Sequence, residues 1–585
     1  MKILLIHPED ELQDARWASQ RWDRVIDLGT TGAESYAEAE AMLGSPISRL
    51  HDFGKNFQGL LRLRELMTIG MGRLKDSLGL DWWELTAILF HQQLETAFLL
   101  RKLVESLSPG EEVHVSRPGL HADALRLALG SRLHTFSSAV NSRKGSVGHY
   151  ARLLKKFPVS QLIEIFWDKT DAGYQFRGSL RSTRQQSSNP VVLLPSSYIS
   201  ISRTALAYAQ NLPKTRFLLV VTRRSGWVGI SLPNVSAKWL SGYASLRNPA
   251  RKLELQGLVR RWELLRTELN AVPEIRTLDE LGWFRGFPKR LLQGLEIRDA
   301  WRNVLDHEPV QSVICADDSN PYTHIPLLLA AQRGLPTIAS HHGALDGRYF
   351  FKRSHADVVL AKGAMEKDYL VRLCGLPSDR VEIGAPLVAA HSEHQTQQTS
   401  ANEKSAIIFF SEPHEMAGGR MKGFYRDILP RLADLALEKG RELIIKLHPS
   451  ESVAERTCFV QEVLNSKQRR IARVIDGPLT QELLTNVWFG VAIMSTVVVE
   501  CALQQIPCFM CTWLEAWPYG YCDQFSRFGV GIRLSEPAEI CRIPSILQNY
   551  QVGGTVRENC WTPIEAQRLE ELLGLRRRAA VSTQN

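Results

Sequence analysis

Two stretches near the end of the chain carry side chains of the kind that hold phosphate. One is Lys446-Leu447-His448-Pro449-Ser450; the other is Ser495-Thr496, followed one helical turn on by Glu500. Each comes after an apolar run, Leu443 to Leu447 and Val491 to Met494, and the pattern predicts a strand passing into a helix. Helix N-termini offer unpaired N–H groups and partial positive charge to an anion. An imidazole and hydroxyls so placed fit a phosphate, and the Glu500 carboxylate fits ribose hydroxyls. The plainer alternatives are a helix-capping His448 and ordinary N-caps at Ser495 and Thr496, which these residue types favour. Capping and phosphate binding use the same N–H groups, so the two readings are compatible. A buried Glu500 would need a partner.

Further polar groups accompany other strand ends. Ser411-Glu-Pro-His-Glu-Met-Ala-Gly-Gly-Arg420-Met-Lys422 follows the run Ala406 to Phe410. It reads as a loop that carries two cations, Arg420 and Lys422, near the expected phosphates, and Arg420 suits a bidentate phosphate grip. A solvated loop is the competing reading. Asp317-Asp318-Ser319-Asn320 follows Val313 to Ala316. Two adjacent carboxylates repel, which raises one pKa toward the range useful for proton transfer; Asp318, or else Asp317, is the expected catalytic carboxylate, against an Asx turn or helix cap. Glu9, Asp10 and Asp14 form a rival acidic cluster. His341 and His342 are expected to bind acceptor or donor phosphate, unless they serve in the core or as caps.

Several classes are excluded. There is no G-x-x-x-x-G-K-[ST] phosphate loop and no G-x-G-x-x-G dinucleotide fingerprint after a leading strand. No D-x-D stands where metal-dependent sugar transferases place one, so no metal and no cofactor are expected, and cationic side chains and helix N-termini take over the divalent ion's work. The nine cysteines lack ligand spacing. Cys508-Phe-Met-Cys511 lies inside an apolar run whose alternation points the thiols apart, and buried reduced cysteine is the expectation. Net charge is +9, yet no dense basic tract supports nucleic acid as a partner. The helix expected over Arg251 to Val272, with Leu258, Trp262, Leu265 and Leu269 on one stripe, docks against the protein's own core or lies on an anionic membrane surface, where Arg576-Arg577-Arg578 would assist.

Hydrophobic content of 44% and charged content of 23% are those of a globular chain, and 585 residues imply two or more domains. Met1 to His7 reads as a first strand rather than a signal peptide. No apolar run is long enough to span a bilayer, which points to the cytoplasm, with peripheral contact at the inner membrane face as an addition. Strands are predicted at Lys2–His7, Arg24–Leu28, Glu112–Ser116, Val191–Pro195, Arg216–Thr222, Ser312–Ala316, Pro336–Ser340, Asp357–Ala361 and Arg380–Ile383. After the polar linker at 391–405 they continue at Ala406–Phe410, Leu443–Leu447, Arg473–Ile475, Val491–Met494, Pro507–Cys511 and Gly529–Arg533. Intervening helical patterns imply βαβ units and parallel sheets. The expected architecture is α/β, with two Rossmann-like domains facing a cleft: an enlarged first domain over 1–390, the linker, a nucleotide-binding domain over 406–562, and a closing helix and tail over 563–585 that crosses back. Residues 1–185 are either part of one enlarged sheet or a leading subdomain.

Ala339-Ser-His-His-Gly343, Asp357-Val-Val-Leu-Ala-Lys-Gly363 and Arg380-Val-Glu-Ile-Gly-Ala-Pro386 resemble the domain junction of GT-B glycosyltransferases of bacterial surface-polysaccharide assembly. CDP-glycerol glycerophosphotransferases and UDP-N-acetylglucosamine 2-epimerases share that junction. Lys446-Leu-His-Pro449 is similar to the His-Pro motif of bacterial sialyltransferases and capsule Kdo transferases, and Met494 to Pro507 to their nucleotide-binding helix. Asp317-Asp318 is similar to the sialyltransferase paired-acid motif, with Ser319 in place of its usual glycine. The resemblance spans roughly Ser312 to Leu534. It implies a metal-independent transferase with a nucleotide-sugar donor, CMP-Kdo or CMP-sialic acid ahead of a UDP-sugar. His448, Pro449, Ser450, Ser495, Thr496, Arg420 and Lys422 would sit at the nucleotide phosphate and Glu500 at the ribose, and a glycan or lipid-linked glycan would accept the sugar. A glycerophosphotransferase or 2-epimerase on the same scaffold is the enzyme alternative; a nucleotide- or lipid-binding scaffold of an assembly complex is the non-enzyme one.

Overall fold

The computed structural model describes residues 1–7, 10, 15–29, 40–41, 43–54, 57–136, 189–244, 248–387, 405–412, 421–493, 495–515, 519–550 and 556–575. Among them the chain builds three parallel sheets, each from runs of β-branched and aliphatic residues. The first holds β1 (Lys2–Ile6), β2 (Arg24–Asp27), β3 (Ile47–Arg49), β4 (Glu112–Val115) and β5 (Leu133–Thr135), in the order β3-β2-β1-β4-β5. The second holds β6 (Val191–Ser196), β7 (Phe217–Val221), β8 (Val235–Trp239), β9 (Val310–Cys315), β10 (Thr337–Ala339), β11 (Val358–Ala361) and β12 (Val381–Ile383), in the order β12-β11-β10-β9-β6-β7-β8. The third holds β13 (Ala406–Phe410), β14 (Glu442–Lys446), β15 (Ala472–Ile475), β16 (Val487–Ala492), β17 (Cys508–Cys511) and β18 (Ile532–Leu534), in the order β15-β14-β13-β16-β17-β18.

All three share one winding. The first strand lies beside the fourth, and the chain proceeds outward in opposite directions from that pair. Such doubly wound, Rossmann-like sheets bury both faces, so their central strands read as continuous apolar runs: Ile3 to Ile6, Phe217 to Val221 and Ala406 to Phe410 are buried throughout. Edge strands lack that signal. β3, β5 and β8, which no sequence pattern predicts, are short or half-exposed edge strands.

By contact density the chain forms two compact units. One comprises Met1–Leu63, Glu95–Ser137 and His391–Trp561; the other Arg64–Leu94, Ser138–Ala390 and Thr562–Asn585. The span 1–390, for which one enlarged sheet or a leading subdomain over 1–185 is expected, holds two separate sheets, and the five-stranded one groups with the six-stranded one. In the second unit, the helix Pro249–Leu269 buries Leu258, Trp262, Leu265 and Leu269, and Trp262 stacks on Phe287 at 3.9 Å, which is the core-docking role. Gly294 lies where any Cβ would strike the Trp82 ring. The closing helix is Ala566–Leu572, shorter than expected, and Ile564, Leu569 and Leu573 join the core under β6, β7 and β9. No described helix is long and apolar enough to cross a membrane. Residues 391–404, Glu9, Asp14, Arg420 and Arg576 to Arg578 lie outside the described residues.

Candidate functional site

In open α/β sheets ligands bind beyond the carboxyl ends of the strands, where the winding reverses. In the seven-stranded sheet that point lies between β6 and β9. Asp317 and Asp318 follow β9, Tyr198 follows β6, and His341 and His342 follow β10. These segments converge on the Asp317 carboxylate. Its Oδ2 accepts from the Tyr198 hydroxyl at 2.7 Å and lies 2.8 Å from His342 Nδ1, with Arg348 at 3.8 Å and His341 Nε2 at 3.9 Å. Its Oδ1 accepts from the Ser319 backbone N–H and hydroxyl.

The expected carboxylate repulsion does not decide the ionisation here. Burial would raise the Asp317 carboxyl, but the His342 hydrogen bond and the Arg348 guanidinium hold it well below its ordinary value. Asp318, likewise buried, is held low by Lys352, whose ammonium donates to Oδ1 at 2.7 Å. Cations outweigh the neighbouring carboxylate, so both acids are ionised and neither has a pKa raised for proton transfer. Burial pushes the His341 imidazole down to about 3, which keeps it neutral, and raises the Tyr198 phenol, as does Asp317. His342 is the titratable ring left partly open to solvent in this group. With Nδ1–H donating to Asp317, its lone pair is on Nε2, 3.1 Å from the Tyr198 hydroxyl, the arrangement of a base oriented by a carboxylate.

A small pocket adjoins this cluster, sharing Ser319 and Arg348 with it. Glu84, Asn320, His324 and Lys352 add polar lining, and Met67, Met71, Leu85 and Phe351 an apolar side. Asn320 Oδ1 and His324 Nε2 are buried there without a protein partner, the state of groups that await a ligand or water. Sequence reasoning missed Tyr198, Arg348, Lys352 and His324. Arg348 and Lys352 lie in and just after a 3-10 turn (Gly347–Phe351) that carries no strand or helix periodicity.

The phosphate-type residues of the six-stranded sheet differ from expectation in several respects. His448 is not at a helix start: it follows β14 in an exposed turn, and the next helix (Val453–Val463) is capped by Ser452. His448 Nδ1 accepts from the Ser450 N–H at 3.2 Å and lies 2.7 Å from the Ser450 hydroxyl. Burial and Lys446 lower its pKa despite Glu451. The ring is thus neutral near pH 7, with its proton on Nε2 and able to donate. Lys446 is tied to the Leu447 and Gly477 carbonyls at 2.9 and 2.7 Å, and Asp476, Glu500 and Glu451 lie within its electrostatic reach. Ser495 is half-buried and Thr496 exposed, and the Thr496 side chain makes no cap bond to the short helix Val497–Leu503. Glu500 is exposed on that helix, not buried. Lys422 lies in the first turn of the helix Met421–Glu438.

Two groups among the described residues have ligand atoms close enough together to hold a metal ion: Asp317, His341 and His342, and Glu112, His114 and His134, each set within 4.8 Å. In the first, the Arg348 guanidinium lies 3.1 Å from His341 Nε2 and 3.8 Å from Asp317, a fixed cation where an ion would have to enter. Cys501, Cys508, Cys511 and Cys522 are buried and unbridged.

No protein-family model matches the chain, and no curated protein matches it. Among solved structures it aligns with S. aureus MnaA in complex with UDP at 12% identity and a TM-score of 0.41, over 66% of this chain and 98% of that one. It aligns with the wall teichoic acid polymerase TagF at 12% and 0.38, over 72% and 98%, and with Acinetobacter baumannii MurG at 10% and 0.40, over 66% and 99%. At these values the alignments carry no functional argument.

Proposed function

We propose that the chain is a metal-independent glycosyltransferase of the GT-B type, which moves a sugar from a nucleotide-sugar donor onto a growing surface polysaccharide or lipid-linked glycan. The observation that carries this reading is the Asp317–His342 pair at the winding reversal of the seven-stranded sheet, with Tyr198 and Arg348 around it. In this reading His342 Nε2 takes the proton of the acceptor hydroxyl. Asp317 fixes the ring's tautomer and balances the imidazolium that forms. The adjoining pocket, with an apolar side and the unpartnered atoms of Asn320 and His324, takes the acceptor sugar. Asp318, neutralised by Lys352, positions this loop rather than reacting.

The donor nucleotide belongs to the six-stranded sheet. His448 Nε2–H and the Ser450, Ser495 and Thr496 hydroxyls meet its phosphate, helped by Arg420 and Lys422, and Glu500 meets the ribose. A CMP-activated acidic sugar is favoured over a UDP-sugar, on the similarity of Lys446-Leu-His-Pro449 to the His-Pro motif. The chain works in the cytoplasm, at the inner face of the membrane that carries its acceptor.

The test is a transfer assay over CMP-, CDP- and UDP-linked donors with glycan and lipid-linked acceptors, beside melting curves with each nucleotide, since a ligand bound only by the native state raises the melting temperature. Sugar transfer that fails in His342→Gln supports the reading. A polyol phosphate in the product selects the glycerophosphotransferase alternative, and interconversion of free UDP-sugars selects the epimerase. Nucleotide binding without turnover across the panel selects a non-catalytic scaffold.

A further inference from the structure

One group of side chains in the five-stranded sheet takes no part in the proposed transfer. β4 and β5 run parallel with His114 opposite His134, and residues two apart on a strand share a face. Glu112, His114 and His134 therefore stand on one side of the sheet, and their ligand atoms lie within 4.8 Å of one another. The His114 and His134 rings stack at 4.7 Å, and His114 Nε2 is 3.8 Å from Glu112 Oε2. That separation is too long for a hydrogen bond, and Nε2 is buried without a hydrogen-bond partner. Trp22 meets the same imidazole edge-on at 5.1 Å, and Phe136 lies against it at 6.0 Å. Aromatic packing accounts for the place of the ring. It does not account for a buried ring nitrogen left without a bond, which calls for a ligand, an ion or water.

From these observations we infer that Glu112, His114 and His134 bind a zinc ion that clips the edge strand β5 to β4. Two imidazoles and one carboxylate are a donor set that zinc takes, with water in the fourth position. Two donors one residue apart on a strand, with a third on its neighbour, surround one point above the sheet. Around a tetrahedral ion with bonds of about 2.0–2.2 Å, donor atoms stand roughly 3.3–3.5 Å apart. Glu112 and His134 are exposed and turn inward to close that gap, while the packed His114 is the fixed anchor. Trp22 and Phe136 shelter one side of the ion, and a sheltered ion holds its ligands more strongly. Lys2 lies within electrostatic reach of His114 and opposes a cation, and Glu112 offsets it. Among the described residues no Lys or Arg side chain is bonded to any of the three, whereas Arg348 stands at the Asp317 group. The edge strand gains most. β5 has three residues, only Leu133 of them buried, and pairs on one side alone; the metal bonds stand in for the apolar run that it lacks. None of the three ligands is assigned to transfer, so losing the ion lowers stability and leaves turnover intact.

The full-length chain, stripped with chelator and dialysed, is titrated calorimetrically with zinc chloride and melted with and without it. The samples are wild type, His134→Ala, Glu112→Gln and His342→Gln. His134 and Glu112 are exposed, so these two variants keep the fold where a change at the packed His114 would not. Groups that only support a metal ligand are worth about ten- to a hundredfold in affinity, and loss of a ligand costs no less. Zinc affinity should therefore fall by about tenfold or more in His134→Ala and in Glu112→Gln and hold in His342→Gln. Zinc should raise the melting temperature of wild type and His342→Gln, as a ligand of the native state does, and lose that effect in the other two. Wild type that binds no zinc overturns the inference, as does binding unchanged in both His134→Ala and Glu112→Gln. Binding lost in His342→Gln and kept in the other two also overturns it, by placing the ion at the Asp317, His341, His342 group.

Discussion

Asp317 Oδ2 lies 2.8 Å from His342 Nδ1 while it accepts from the Tyr198 hydroxyl, so a single carboxylate oxygen holds groups delivered by two other strand ends. Each partner comes from a separate crossover of the seven-stranded sheet, and the carboxylate is where they meet. Removing its charge therefore frees two side chains at once. That makes Asp317 a positioning group for His342 in addition to its electrostatic role.

If His342 is the base, His342→Gln should lower turnover by about 10² to 10⁴ and leave nucleotide affinity unchanged, because the nucleotide residues lie in the other sheet. Asp317→Asn should lower turnover as well, since the amide no longer balances the positive charge that develops on the ring as it takes the proton. Steady-state kinetics over a pH series measures both. Full activity in His342→Gln would remove the base assignment.

Acid should destabilise the fold well above the carboxylate range. Burial lowers His341 to about 3 and His91 and His355 to about 4. An unfolded histidine titrates near 6.5, so between roughly pH 6.5 and 4 the unfolded chain binds protons that these three native rings refuse, and stability falls as pH drops. Glu95 opposes this. Burial raises it to about 8, so its contribution is present below its unfolded value and is lost as pH rises through that folded value. Asp81 and Glu366, also raised, act with Glu95, and His324, His114 and His448, also lowered, act with the three rings; the lowered histidines outnumber the raised carboxyls, which leaves a net loss of melting temperature from pH 6.5 to 4. The lowered carboxyls of Asp317 and Asp318 contribute above about pH 4 and lose that contribution only as pH falls through their lower native values. Calorimetric melting across this range gives the answer, and a flat or inverted profile would contradict the burial assigned to the three rings.

The central strands were readable because a doubly wound sheet buries both faces and leaves uninterrupted runs such as Ile3 to Ile6. The edges β3, β5 and β8 had no such run to read. At the site, Asp317, His341, His342 and His448 were visible as polar groups placed after apolar strands. What a linear reading lacks is their partners: Tyr198 lies 119 residues from Asp317, and Lys352 lies 34 from Asp318. Without those cations and donors, adjacent carboxylates suggest repulsion, and the sign of the Asp317 and Asp318 shifts comes out reversed.

His448→Ala should weaken binding of the donor nucleotide by roughly ten- to a hundredfold, the worth of a hydrogen bond to a charged group at about 1.5–3 kcal/mol. The ring is exposed in its turn, and Glu451 keeps the turn closed through the backbone N–H. The melting temperature should therefore hold. Calorimetric titration of the variant decides, and unchanged affinity would return His448 to a purely structural role.

Transfer should persist in excess chelator. The leaving phosphate is proposed to meet His448, and Arg348 stands 3.8 Å from the one carboxylate of the Asp317, His341, His342 group. Loss of activity in EDTA that manganese, magnesium or zinc restores would reassign that group as a metal site and displace His342 as the base.

Asp318→Asn separates structure from chemistry. Its carboxylate is buried and bound to the Lys352 ammonium at 2.7 Å, and the same ammonium also holds the Asp318 carbonyl at 2.9 Å. Removing one partner of a buried pair strands the other charge, at a cost of about 3–5 kcal/mol. The asparagine oxygen can still accept from Lys352, which places the expected loss at or below the lower end. Asp318→Asn should thus melt earlier while the surviving native protein keeps turnover within a few-fold, the reverse of Asp317→Asn. Asp10→Asn, in the five-stranded sheet, serves as the control and should leave turnover intact. A folded, thermally unchanged Asp318→Asn without activity would make Asp318 the catalytic acid–base group and reduce Lys352 to its modulator.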